Sequence, residues 1–144
     1  MEDLLIKELC KLLPYGVICK IRDGLGDLEL LSIHYDGKNS LFTFKDPNRT
    51  RPLELYFSEF KPYLFPLSSI KDKVFGFPES LRNPDGMEIF IPANQEKCYN
   101  FAYHDMDRIL SQFRRNFIDF YGFISSGLAI DATGLNIYGF KCYR

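Results

Sequence analysis

Apolar positions change their spacing along this chain, and the changes divide it into elements. Near the start, Leu5, Leu9, Leu12 and Leu13 fall at i, i+4, i+7 and i+8. That spacing makes one stripe of a helix and predicts a helix over residues 3–13. Lys7, Glu8 and Lys11 occupy much of its other side. Pro14 and Gly16 end it, because proline cannot continue a helix and glycine accepts a left-handed exit. The period then shortens to two. Val17, Cys19 and Ile21 alternate with Ile18, Lys20 and Arg22, as in a half-buried strand. Asp23-Gly24-Leu25-Gly26-Asp27 is turn chemistry, Leu28 to His34 reads as a second strand, and Tyr35 to Asn39 holds the Asp-Gly pair of a tight hairpin. Ser40 to Lys45 is a third strand with Phe42 and Phe44 on one face. The prediction is an antiparallel meander.

Prolines at 47, 52, 62, 66, 78 and 84 exclude a long helix from the middle of the chain. Leu53 to Phe60 is expected to make a short helix and Tyr63 to Ser69 an extended stretch. Asn83-Pro84-Asp85-Gly86 is a turn, and Met87 to Ile91 a fourth strand. A longer helix begins between Asn100 and Asp105, either of which can cap it. Met106, Ile109, Leu110, Phe113 and Phe117 form its apolar stripe, while Arg108, Ser111, Gln112 and Arg115 face away. It runs into Phe120-Tyr121-Gly122-Phe123 and closes on Gly127. Phe120, Phe123, Ile124 and Leu128 can join the core only if the chain bends at Gly122 or Gly127, where glycine accepts positive φ. Leu135 to Tyr143 could add a last strand. Together these elements predict one α+β domain over residues 1–144: an antiparallel sheet of four or five strands, with the N-terminal helix and a longer C-terminal helix on one face.

Composition sharpens this picture in two places. Fourteen Phe and nine Tyr, with no Trp, point to a core of large flat side chains, or to an exposed aromatic surface. The formal charge of −1 supplies no long-range field toward nucleic acid or an acidic membrane. Cys10, Cys19, Cys98 and Cys142 form no Cys-x-x-Cys pair, and His34 and His104 are the only histidines, so no zinc motif is present. The charged start lacks the apolar run of a secretion signal, which implies a cytoplasmic protein with reduced thiols. The longest nearly uncharged run, Phe120 to Ile130, is too short to span a bilayer.

Candidate chemistry is sparse. Gly24-Leu25-Gly26 lacks the third glycine of a phosphate loop, lies between Asp23 and Asp27, and precedes a strand, so it reads as a hairpin turn. His104, Asp105 and Asp107 do not converge without a distant partner, and both acids suit a helix start. Ser68, Ser69 and Lys71, or Asp36 with Lys38, lack a base and an orienting group. One stretch stands apart. Between residues 108 and 118 there are three Arg and no acid. Arg108, Arg114 and Arg115 lie beside Phe113, Phe117, Phe120 and Tyr121, the mixture that single-stranded nucleic acid uses. Phe113 and Phe117, however, are also needed by the core.

Four segments carry a resemblance: Leu13-Pro14-Tyr15-Gly16, Lys61 to Ser69 (KPYLFPLSS), Phe120-Tyr121-Gly122-Phe123-Ile124, and Gly127 to Asp131 (GLAID). Together they resemble the uncharacterised small proteins encoded by gut Bacteroides species and by the phages and prophages they carry. Such relatives often have His just before the aromatic-Gly step, where this chain has Arg115-Asn116-Phe117. The resemblance implies a phage or prophage setting and no particular activity.

The expectation is therefore an accessory protein, cytoplasmic in the host cell, that binds a host or phage protein. No catalytic, cofactor or metal residues are predicted, and no membrane association. One alternative is nucleic-acid binding through Arg108, Arg114 and Arg115. The other is a small-molecule-binding protein or enzyme whose site is dispersed in the sequence. A homodimer is left open.

Overall fold

Helix α1 spans Glu2–Leu12, with Glu2 and Asp3 in its first turn and Lys11 in its last, as the helix dipole favours. A single 3-10 turn, Leu13–Tyr15, follows, and Gly16 leaves it at φ 76°. The computed structural model describes residues 1–35, 37–67, 88–91, 96–100 and 106–138, with the side chains of 88–91, 96–100, 106–109 and 112 outside the description.

The expected three-stranded meander forms and gains a fourth strand. Strands β1 (Ile18–Ile21), β2 (Gly26–Tyr35), β3 (Ser40–Lys45) and β4 (Leu53–Tyr56) pair antiparallel in succession. Between β1 and β2 the chain turns through Asp23 and Gly24, both at positive φ. Register builds the core face. Cys19 lies opposite Leu28, Leu30 opposite Phe44, and Phe42 opposite Leu55. The pairing shifts between Leu30 and Ser32, where Leu31 is the extra residue of a β-bulge. The bulge resets the alternation, so Ile33 rejoins the face that Leu30 began, and Leu31 is left exposed.

The short helix expected over Leu53 to Phe60 is not formed. Leu53 and Leu55 alternate as a strand, Phe57–Glu59 makes one 3-10 turn, and β5 (Phe60–Pro66) begins at once. Leu53, Leu55 and Phe57 satisfy a period of two, and sheet pairing with β3 decides it. The turn is fixed by Glu59, whose Oε2 accepts the Tyr56 amide at 2.8 Å.

The sheet has seven strands and is mixed, not purely antiparallel. β5 pairs antiparallel with β1, but parallel with two two-residue strands. Assigning β6 (Glu88–Ile91) and β7 (Glu96–Asn100) to a separate antiparallel hairpin, these two are β8 (Ile118–Asp119) and β9 (Ile130–Asp131). The fourth strand expected at Met87 to Ile91 is thus β6, outside the main sheet. The C-terminal helix, α2, spans Met106–Arg115 and is no longer than α1. It stops where Phe117 takes φ 58°, a conformation no helix contains. Of the last strand expected over Leu135 to Tyr143, residues 135–138 are irregular, and 139–143 lie outside the described residues.

One apolar cluster joins these parts. Leu5, Leu9 and Leu12 of α1 meet Cys19, Leu30, Phe42, Phe44 and Phe60 of the sheet, together with Phe113, Phe117 and Phe123. Phe60 meets Phe42 and Phe44 edge-on at 4.8 and 4.9 Å between centroids, the geometry that ring quadrupoles favour. Among the described residues no helix is long and apolar enough to cross a membrane.

Candidate functional site

The basic-aromatic stretch is resolved into packing roles. Phe113, Phe117 and Phe120 are buried, and Tyr121 is half-buried. Arg114 donates Nε to Glu8 Oε2 at 2.8 Å and Nη2 to Glu8 Oε1 at 3.0 Å. Its Cζ lies 5.4 Å from the Phe120 ring centroid. The hydrogen bonds to Glu8 hold the guanidinium still more firmly protonated, against a smaller opposing effect of burial. Glu8 is buried, so its charge is matched inside the fold and not at the surface. Arg115 is exposed. Arg108 belongs to α2, and its side chain lies outside the described residues.

The aromatic-Gly segment closes around Asp119. Asp119 Oδ1 accepts the amides of Gly122 and Phe123 at 2.9 and 2.8 Å, and Oδ2 accepts that of Ile124 at 2.7 Å. Burial raises this carboxyl above its ordinary value, while the amides pull it down. Both oxygens serve as acceptors for backbone, which leaves Asp119 a loop-building residue. Gly122 and Gly127 take φ 87° and 81°, so the bend expected at them is present at both.

Tyr138 locks the far side. Its ring stacks on Phe117 at 3.8 Å and 10° between planes. Its hydroxyl donates to the Tyr63 carbonyl at 2.7 Å and accepts the Ile18 amide at 3.0 Å. These groups sit next to the Cys19–Pro62 pair, where the β1–β5 ladder ends. A side-chain hydroxyl there satisfies backbone groups that would otherwise be buried without partners. Burial and a 2.7 Å hydrogen bond to Asp27 push the Tyr63 phenol up to about 12. Burial likewise raises the Cys19 thiol, which keeps it protonated and unreactive.

Among the described residues no three of His, Cys, Asp and Glu come together as a metal site. His104 and Asp105, Ser68, Ser69 and Lys71, and Asp36 lie outside the described residues, as does the side chain of Asp107.

What remains exposed is more informative. Tyr35 is 72% accessible and Tyr56 51%, high values for aromatic side chains in so Phe-rich a protein. Both line an open groove of about 680 Å³ between the first turns of α1, the β2–β3 turn and the end of β4. Ile6 and Phe57 supply its apolar surface, and Glu2, Asp3 and Lys38 its charge. Glu2 and Asp3 have no ion-pair partner among the described residues. Sequence reasoning missed this groove because its residues come from three separated segments. The available signal was Tyr35 beside the Asp36-Gly37 turn, since an aromatic at a hairpin tip has little core to enter.

Comparison with known proteins returns no match to a family model, a curated protein or a solved structure.

Proposed function

We propose that this chain is a non-enzymatic binding protein whose tyrosine groove docks a protein partner, in the phage or prophage setting that its sequence resemblance implies. The observation that carries this reading is the pair of exposed tyrosines, Tyr35 and Tyr56, on one concave surface. Tyrosine brings large contact area and a polar tip with few rotatable bonds, which is why it is enriched where proteins meet proteins. The acids Glu2 and Asp3 on the rim, which have no ion-pair partner among the described residues, favour a partner segment that carries Lys or Arg. The groove's volume suits a few side chains of such a segment rather than a whole domain face.

The nucleic-acid reading draws less support. It needs exposed rings beside exposed cations. Here the rings at 113, 117 and 120 are buried, Arg114 is held by Glu8, and Arg115 is left as the exposed cation of that pair. The test is capture of partners from host cells by the native protein and by a Tyr35→Ala/Tyr56→Ala variant. Loss of a protein partner in a variant that still folds supports the groove.

A further inference from the structure

The register between β1 and β5 sets Lys20 directly opposite Lys61. Both are exposed, and like charges facing each other across an antiparallel pair destabilise a sheet. Arg22, two residues beyond Lys20, brings a third exposed cation to the same place. On its other side Lys20 faces Asp27, which could neutralise it. Asp27 instead accepts the Tyr63 hydroxyl at 2.7 Å and forms no ion pair with Lys20. Lys20, Arg22 and Lys61 have no ion-pair partner among the described residues. Glu59, the carboxylate that lines the same cleft, has an oxygen engaged by the Tyr56 amide at 2.8 Å.

All three cations line an open cleft of about 370 Å³, with Ser58, Glu59, Phe60 and Ile130. A chain of net charge −1 thus sets three cations against the one carboxylate among the described residues that line this concavity. The arrangement supplies two ammonium groups, a guanidinium fork and the Ser58 hydroxyl, donors suited to a tetrahedral oxyanion. The size is at the low end of small-molecule sites, roughly 300 to 1,000 Å³. We propose that this cleft binds a small phosphate ester, with Lys20, Arg22 and Lys61 holding the phosphoryl oxygens. The site is separate from the tyrosine groove, although Ser58 borders both.

The experiment is calorimetric titration of the purified protein with AMP, inorganic phosphate and adenosine, at low and moderate salt. The expected result is saturable binding of AMP and phosphate that weakens with salt, and none of adenosine. Lys20→Met/Lys61→Met should lose about tenfold or more in affinity, as should Arg22→Gln. The lysine variant should melt at or above the native temperature, because it removes a like-charge pair. Tyr35→Ala/Tyr56→Ala should bind AMP normally, which separates this site from the protein-docking groove. Absence of phosphate or AMP binding, adenosine binding as tightly as AMP, or unchanged affinity in both basic-residue variants would overturn the proposal. So would a single-stranded oligonucleotide that binds tightly where AMP does not.

Discussion

Glu8 on α1 and Arg114 on α2 are 106 positions apart in sequence and share a two-point ion pair. The guanidinium spans both carboxylate oxygens, so the pair fixes how the helices face each other as well as how closely they lie. Glu8 is 5% accessible and the Arg114 side chain 16%, too dry for either charge to be left alone.

Arg114→Ala should therefore cost about 3 kcal/mol, the penalty for stranding a buried carboxylate. A Glu8→Leu/Arg114→Met double variant should recover most of that loss, because an apolar pair of similar volume needs no desolvation of charge. Urea denaturation of the native protein, both single variants and the double variant measures the coupling. A cost below about 1 kcal/mol for Arg114→Ala would mean that water reaches Glu8 and the pair is a surface one.

Gly127 takes φ 81°, and a Cβ built there would meet no atom within 4 Å. The cost of a side chain at this position is thus backbone strain alone. Gly127→Ala and Gly127→Val should both destabilise by roughly 1 to 3 kcal/mol, and by similar amounts. Thermal melts of the two variants check this. A far larger loss in the valine variant would show steric crowding that the geometry does not contain.

Tyr63 sets a pH limit. Its phenol titrates near 10.0 when free and at about 12 in the fold. Between these values the unfolded chain has released this proton and the native chain has not. Stability is then fully present below pH 10 and falls as pH rises through the window. Tyr63→Phe should lose stability less steeply than the native protein between pH 10 and 12, since the other titrating groups are common to both. Parallel stability curves would show that Tyr63 is not held by Asp27 and burial.

How much of this was legible in the sequence depends on what held each element. The meander was readable because Phe42, Phe44, Cys19 and Ile21 alternate on a face that one register buries. Strand β3 spans the residues its alternation predicts, Ser40 to Lys45. Strands β8 and β9 were not, because two-residue pairings with β5 come from tertiary contact and leave no periodic trace. The short helix at Leu53 to Phe60 failed for a related reason: apolar residues at 53, 55, 57 and 60 fit both periods, and pairing with β3 chose between them.

Glu8 is the instructive error. The pattern groups it with Lys7 and Lys11 on the polar side of α1, yet it stands three residues after Leu5 and four before Leu12, on the buried stripe. An acid on that stripe required a cationic partner in another element, and the arginines of α2 were the nearest supply. Asp119 gave a similar signal, since an aspartate three residues before a glycine can cap the turn between them. The basic cleft had no such signal, and the tyrosine groove only Tyr35 at its hairpin tip. Each gathers residues from separated segments, and only the strand register and the β4–β5 turn bring them together.

Capture from infected host cells, comparing the native protein with Tyr35→Ala/Tyr56→Ala and with Arg115→Ala, tests the binding account most directly. Both tyrosines are exposed, so the double variant should keep the native melting temperature within a few degrees. The account predicts a protein partner that the native chain and Arg115→Ala retain and the tyrosine variant loses. An unchanged partner in the tyrosine variant, or recovery of nucleic acid that Arg115→Ala abolishes, would contradict it.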